Sequence, residues 1–149
     1  MSNLDKAIAV ASKVHAGQLD KAGQPYVLHP LRLMFRFQSD VEMIVAVLHD
    51  AVEDSNLALD DLKSLGFSDV VLKALDCLSK RAGETYEEFI ERVSENDLAK
   101  KIKIEDIKDN LNLTRLNNII DKDLTRVKKY HQALKFLVNH KSMELLRKQ

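Results

Sequence analysis

The stretch "VEMIVAVLHDAVED", residues 41 to 54, decides the fold. From Met43 to Leu48 it is apolar nearly all round, so a helix here has no face to give to water and belongs at the centre of a core. Ser39 with Glu42 has the spacing of a capping box and predicts where that helix starts. The run then ends in His49, Asp50, Glu53 and Asp54. If the helix continues this far, their i, i+1, i+4, i+5 spacing puts all four on one side of its last turn. A helix C-terminus disfavours anions, and three carboxylates there repel one another. No Lys or Arg lies between Gln38 and Lys63 to offset them. Two readings follow: a frayed, solvated helix end, or a divalent cation bound by imidazole nitrogen and carboxylate oxygen.

Working outward, the chain reads as helical throughout. Leu4, Ala7, Ile8, Ala11 and Val14 repeat at spacings of three and four, with Ser2 and Asp5 as the cap. "HAGQLDKAGQPY" (residues 15 to 26) breaks that period with two glycines and Pro25 and is a loop. A short helix starts near Pro30, a favoured first-turn residue. Beyond the central helix, "LDDLKSL" forms a short helix that stops at Gly66. Val70, Val71, Ala74, Leu75 and Leu78 mark another, and Thr85 with Glu88 caps one carrying Phe89, Ile90 and Val93. A long helix is expected from Leu98 to Leu116, and a last one carries Leu124, Val127, Leu134 and Val138. No segment alternates as a strand would, and no linker divides the chain. The expectation is a single all-α domain over residues 1 to 149, with seven or eight helices.

Composition narrows the class. The 149 residues are 45% apolar and 31% charged, with 23 basic and 23 acidic side chains. That balance gives no basic footprint for nucleic acid or anionic membranes, so neither is an expected partner. No apolar run approaches the roughly 18 residues that cross a bilayer, and the N-terminus lacks signal-peptide features. Cys77 is the only cysteine and reads as a core-facing packing residue. A cytoplasmic location is the default for such a chain. Composition leaves the oligomeric state open.

Two other segments bear on the acidic cluster. "PYVLHP" places His29 after the loop and directly before Pro30. In "KIEDIKDNLNLTRL", Ile102, Asp106, Asn110 and Leu113 share one stripe of the long helix, and its apolar ends turn it toward the core. A carboxylate buried there needs a partner. Glu105, Lys108 and Asp109 lie on other faces and read most simply as solvated pairing groups. Together His29, His49, Asp50 and Asp106 would form a two-His, two-Asp metal site suited to Mn, Fe or Zn. Glu53 and Asp54 would remain to orient or deprotonate a water.

This H…HD…D order resembles the HD-domain metal-dependent phosphohydrolases. More closely, "HAGQLDKAGQPYVLHP", "AVLHDAVED" and "KIEDIKDN" resemble in order and spacing the hydrolase domain of RelA/SpoT stringent-response proteins, and the stand-alone Mesh-type small alarmone hydrolases. The likeness runs over nearly the whole chain, and the expectation is a hydrolase domain without the synthetase and regulatory domains of the long RelA/SpoT proteins. It implies an all-α HD fold and Mn²⁺-dependent removal of the 3′-pyrophosphate of (p)ppGpp, a small nucleotide substrate. It implies His29, His49, Asp50 and Asp106 as metal ligands and Glu53 with Asp54 as the pair acting on the attacking water. Asn110 matches an asparagine that contacts the nucleotide, and Lys21 a basic residue of the substrate loop.

The chain departs from that pattern in two places. Asp20 precedes Lys21 where the family commonly has the Arg that lies against the guanine base, so the loop offers no stacking guanidinium. Asn112 stands where an Arg usually follows Asn110; Arg115 could substitute. Charge on a leaving pyrophosphate calls for cations, Lys21 first, then Lys80, Arg81, Lys101 and Lys103, the last four reading as surface charges. Tyr26 either stacks on a base or anchors its loop. His15 reads as loop-fixing, His131 as a satisfied core histidine, His140 as solvated and Tyr86 as structural. Two alternatives accompany the pyrophosphohydrolase reading: an HD phosphohydrolase acting on another phosphorylated nucleotide, and a non-catalytic alarmone-binding module.

Overall fold

In a computed structural model, the structure describes residues 3–53 and 55–139. Ser2, Asp54 and His140 lie outside the described residues. Among those described, the protein is all helical: α1 (Asn3–Val14), α2 (Leu28–Met34), α3 (Asp40–Leu48), α4 (Leu59–Ser64), α5 (Asp69–Cys77), α6 (Tyr86–Ser94), α7 (Asp97–Asn110) and α8 (Asp121–Asn139), with a 3₁₀ turn at Leu113–Arg115 between the last two. The loop before α2 is closed by one antiparallel bridge between Leu19 and Pro25.

α3 is the hub. Ile44 to Leu48 are all buried, and the helix packs against α1, α2, α5 and α7. Burying a Val or Leu side chain contributes roughly 1.5–3 kcal/mol each, so this short helix anchors much of the core. Its start is as the sequence reads: the Ser39 Oγ accepts from the Glu42 N–H at 3.2 Å and donates to the Glu42 carboxylate at 2.7 Å. Thr85 caps α6 in the same way, accepting from the Glu88 N–H at 3.1 Å. α4 stops where Gly66 takes φ +95°, which lets the Phe67 N–H return to the Leu62 carbonyl at 3.3 Å.

Three helix readings need correction. α3 ends at Leu48, and residues 49–53 form a turn. The His49 ring takes the Ala46 carbonyl at 2.7 Å and Ser55 Oγ takes that of Ala51 at 2.6 Å, so side chains intercept acceptors that a continuing helix would need. α7 ends at Asn110 rather than Leu116. Asn112 caps the next turn by accepting from the Thr114 N–H at 3.2 Å, which redirects the backbone. In α8 the inward stripe is Tyr130, Ala133, Leu134 and Leu137, while Val127 lines the cleft. Leu124, His131 and Val138, seven apart, share an exposed column, so His131 is not a core residue. Cys77 packs partly buried against the core, as read. No helix of the described residues is long and apolar enough to cross a membrane.

Candidate functional site

The site assembles where three helices meet. His29 sits in the first turn of α2, His49 caps the C-terminus of α3, and Asp106 projects from α7; all three are buried. The expensive burial of these polar groups is made tolerable by their meeting one another. The His29 Nε2 lies 2.9 Å from Asp106 Oδ1, and His49 Nε2 lies 3.4 Å from the same oxygen. One ligand atom from each of the three residues falls within 4.8 Å of the others. Asp50 stands at the edge of this set. Its Oδ2 is 3.0 Å from His49 Nε2 and 3.8 Å from His29 Nε2.

The outer ring nitrogens settle which way the imidazoles face. His49 Nδ1 can only donate to the Ala46 carbonyl, and His29 Nδ1 donates to the Asp109 carboxylate at 2.6 Å. Both Nε2 atoms therefore point at one spot with a lone pair available in the neutral ring. His49 Nε2 is buried and, among the described residues, makes no aligned hydrogen bond despite the nearby carboxylates. A buried polar atom without a bond costs stability. Two imidazole nitrogens and carboxylate oxygen around such an atom are a donor set that fits a divalent metal.

Charges within the cluster reinforce one another. Burial works against a charged His49, but Asp50 and Asp106 overcome it and hold the ring well above its ordinary pKa. Burial likewise opposes the Asp50 charge, yet His49 brings that carboxyl down to about 2. Asp106 is held well below the carboxylate range against its own burial, chiefly by Lys103 and His49. Lys103 ion-pairs with Asp106 Oδ2 at 2.9 Å and lies 5.1 Å from the centre of the Phe89 ring. It is a largely buried member of the site, not the surface charge read from the sequence. Lys101 and Arg81 do lie at the surface, paired with Glu42 and Asp76.

A cleft of about 450 Å³ opens beside this cluster. Lys21, Glu53, Lys103, Asn110, Arg115 and Arg126 all line it. Asn110 Nδ2 donates to the Asp106 carbonyl at 3.0 Å and carboxylate at 3.1 Å, so it braces the Asp106 side chain while its residue remains exposed to the cleft. Glu53 Oε1 accepts from the Lys80 N–H at 2.5 Å, which ties the turn after α3 to the end of α5. Partial burial and then Arg126 lower the Lys21 pKa. The Tyr26 hydroxyl donates to Asp50, and its ring sits 5.0 Å from His15 and 5.7 Å from His29, so it anchors the loop against the site. His15 is loop-fixing as read, bonding Gln18 at 2.9 Å. Asp20 accepts from the Ala22 and Gln24 N–H groups, both at 2.9 Å, and spends its side chain on its own loop.

The sequence reading missed Asp109. It is not a solvated pairing group: it is buried, and beside His29 it meets Arg32 at 3.0 Å, Arg36 at 2.9 Å and Arg115 at 3.4 Å. The available signal was its place three residues past Asp106, together with Arg32 three past His29 and Arg36 four further on. Glu105 and Lys108 do pair with each other, at 3.4 Å.

The helical bundle that draws two histidines and an aspartate from three helices to one buried point is similar in sequence and fold to RelA/SpoT-type hydrolase proteins. No family model matches the chain. It is similar to a guanosine-3′,5′-bis(diphosphate) 3′-pyrophosphohydrolase of Borreliella burgdorferi, 32% identical over 79 residues, half of this chain and 12% of that protein. It is also similar to a probable GTP pyrophosphokinase of Mycobacterium leprae, 31% identical over 77% of this chain and 16% of that protein. The chain thus spans less than a fifth of the curated relatives it matches. In fold it matches a metazoan ortholog of SpoT, described as hydrolysing ppGpp and acting in starvation responses. The TM-score is 0.77 at 19% identity, over 96% of this chain and 89% of that one.

Proposed function

We propose that the chain is a divalent-metal-dependent pyrophosphohydrolase that removes the 3′-pyrophosphate of (p)ppGpp or a close nucleotide relative. The observation that carries this reading is the buried His49 Nε2, without an aligned hydrogen bond among the described residues, facing the same point as His29 Nε2 and Asp106 at the edge of a cleft lined by Lys21, Lys103 and Arg126. The similarity to a guanosine-3′,5′-bis(diphosphate) 3′-pyrophosphohydrolase supports the substrate class.

His29, His49, Asp50 and Asp106 would hold the ion, and the mixed nitrogen and oxygen donors suit Mn²⁺. When bound, such an ion polarises a phosphoryl oxygen and lowers the pKa of a water. Glu53, on the cleft wall, and Asp54 beside it in sequence act as the proton-accepting pair as the water attacks phosphorus in line with the departing group. Lys21, Arg126 and Lys103 place positive charge where the released pyrophosphate accumulates negative charge. Asn110 contacts the nucleotide, and Tyr26 holds Asp50 and the substrate loop. A cytoplasmic location goes with a diffusible nucleotide substrate.

One observation favours a second reading, hydrolysis of a different phosphorylated nucleotide. Asp20 is engaged with its own loop and puts no guanidinium beside a base. A nucleotide panel with Mn²⁺ present, scoring pyrophosphate and orthophosphate separately, distinguishes the two. Pyrophosphate from ppGpp is the expected product. Activity confined to other nucleotides would replace the first reading with the second, and ppGpp binding without turnover on any substrate would make the chain a binding module.

A further inference from the structure

We propose that Asp109 is a positioning residue: held anionic by Arg32, Arg36 and Arg115, it fixes the His29 ring so that Nε2 faces the metal point. This rests on the metal-site reading above and extends it to residues that the H…HD…D pattern does not contain.

The geometry is closed on every side. Asp109 Oδ2 accepts from His29 Nδ1 at 2.6 Å, from Arg32 Nη2 at 3.0 Å and from Arg115 Nη2 at 3.4 Å. Oδ1 accepts from Arg32 Nε at 3.1 Å and from Arg36 Nη2 at 2.9 Å. The Asp109 side chain is 1% exposed, so an unpaired charge here would be costly and the arginines are required for it to remain ionised. Two of the three guanidiniums also bond the backbone of α7. Arg36 donates to the Glu105 carbonyl at 2.9 Å, and Arg115 donates to the Asp109 carbonyl at 3.0 Å. The carboxylate is therefore gripped from α2 and from the 3₁₀ turn, while its own backbone belongs to α7.

A planar imidazole has two nitrogens, and fixing the proton on one leaves the lone pair on the other. A carboxylate behind a ligating histidine fixes both ring orientation and tautomer and raises ligand basicity, and losing it typically weakens metal binding about 10–100-fold. His49 has only a neutral carbonyl behind it, that of Ala46. The two imidazoles are thus unequally backed, and the stronger support belongs to His29.

The test is Mn²⁺ binding by calorimetry to the full-length protein and to Asp109→Asn. Near-UV circular dichroism serves as the check on fold. The variant is expected to bind Mn²⁺ about 10–100-fold more weakly. In the Zn²⁺-loaded protein, the exchange-protected His29 Nδ1–H resonance is expected to shift or vanish, a signature that loss of general packing would not produce selectively. An affinity and a ring resonance both unchanged in a folded Asp109→Asn protein would overturn the proposal. Should that variant fail to fold, Arg36→Gln removes an outer support and leaves two guanidiniums in place. Weaker Mn²⁺ binding is then expected, and unchanged binding would overturn the proposal. Wild type that binds no Mn²⁺ overturns both this proposal and the metal reading. Wild type that binds Mn²⁺ but spares ppGpp contradicts only the proposed substrate.

Discussion

The Tyr26 hydroxyl, bonded to Asp50, gives a clean separation of two roles at the scale of single residues. Tyr26→Phe removes the hydroxyl and keeps a ring able to stack. If Tyr26 acts by holding Asp50, this variant should bind Mn²⁺ several-fold more weakly, with KM for nucleotide unchanged, and cost no more than about 0.5–1.5 kcal/mol in stability. A raised KM with unaltered Mn²⁺ binding would instead give the ring a direct place against the base. Calorimetry and steady-state kinetics on the one variant decide. Three of the four residues proposed as ligands drew notice because they are out of place locally: His49 and Asp50 in an acidic cluster ending an apolar helix, and Asp106 on a stripe bounded by Ile102 and Leu113. Asp109 was illegible for the opposite reason. It looks at home on a polar face, and its partners His29, Arg32 and Arg36 lie 73 to 80 residues away in sequence, where no local period can reveal them.

Helices show the same division between local and distant causes. Caps at Ser39 and Thr85 were readable because donor and acceptor lie three residues apart. The ends of α3 and α7 were not, since they depend on His49, Ser55 and Asn112 side chains choosing backbone partners. The exposed column of α8 escaped because apolar identity alone does not say which stripe a helix buries. Two variants test the element-level account. Leu48→Ala empties a fully buried position in α3 and should cost about 2–5 kcal/mol, read by urea unfolding. A loss under 1 kcal/mol would mean that α3 is not the hub. Arg92 of α6 bonds the Cys77 carbonyl at 3.1 Å, the Ser79 carbonyl at 2.8 Å and the Glu84 carboxylate at 2.9 Å. Arg92→Ala should therefore loosen the α5–α6 connection for about 1–3 kcal/mol, visible as faster amide exchange over residues 77–84. Uniform exchange across the molecule would argue against so local a role.

Across the whole molecule, the proposed ion binding would be linked to folding through the two histidines. His29 and His49 both have pKa values raised in the folded, metal-free protein, after Asp50, Asp106 and Asp109 outweigh the effect of burial. A raised folded value means that this contribution to stability is complete below the unfolded histidine pKa, about 6.5, and is lost as pH rises through the folded values. Metal-free protein should accordingly melt at lower temperature as the pH is taken upward from 6. Mn²⁺ binding requires neutral imidazole, so its stabilisation should grow over the same interval. At 100 times Kd it amounts to about 2.7 kcal/mol, or roughly 5–10 °C in Tm for a chain of this size. Thermal melts with and without the ion across that range check the sign, and a Mn²⁺ effect that shrinks with rising pH would contradict it. The central claim is tested most directly by titrating Mn²⁺ into metal-free protein and measuring bound ion and pyrophosphate released from ppGpp on the same samples. The account predicts that pyrophosphate release rises with ion occupancy and that Asp106→Asn loses both. Pyrophosphate release that is independent of Mn²⁺, or full Mn²⁺ occupancy of a folded protein with no pyrophosphate released, would contradict it.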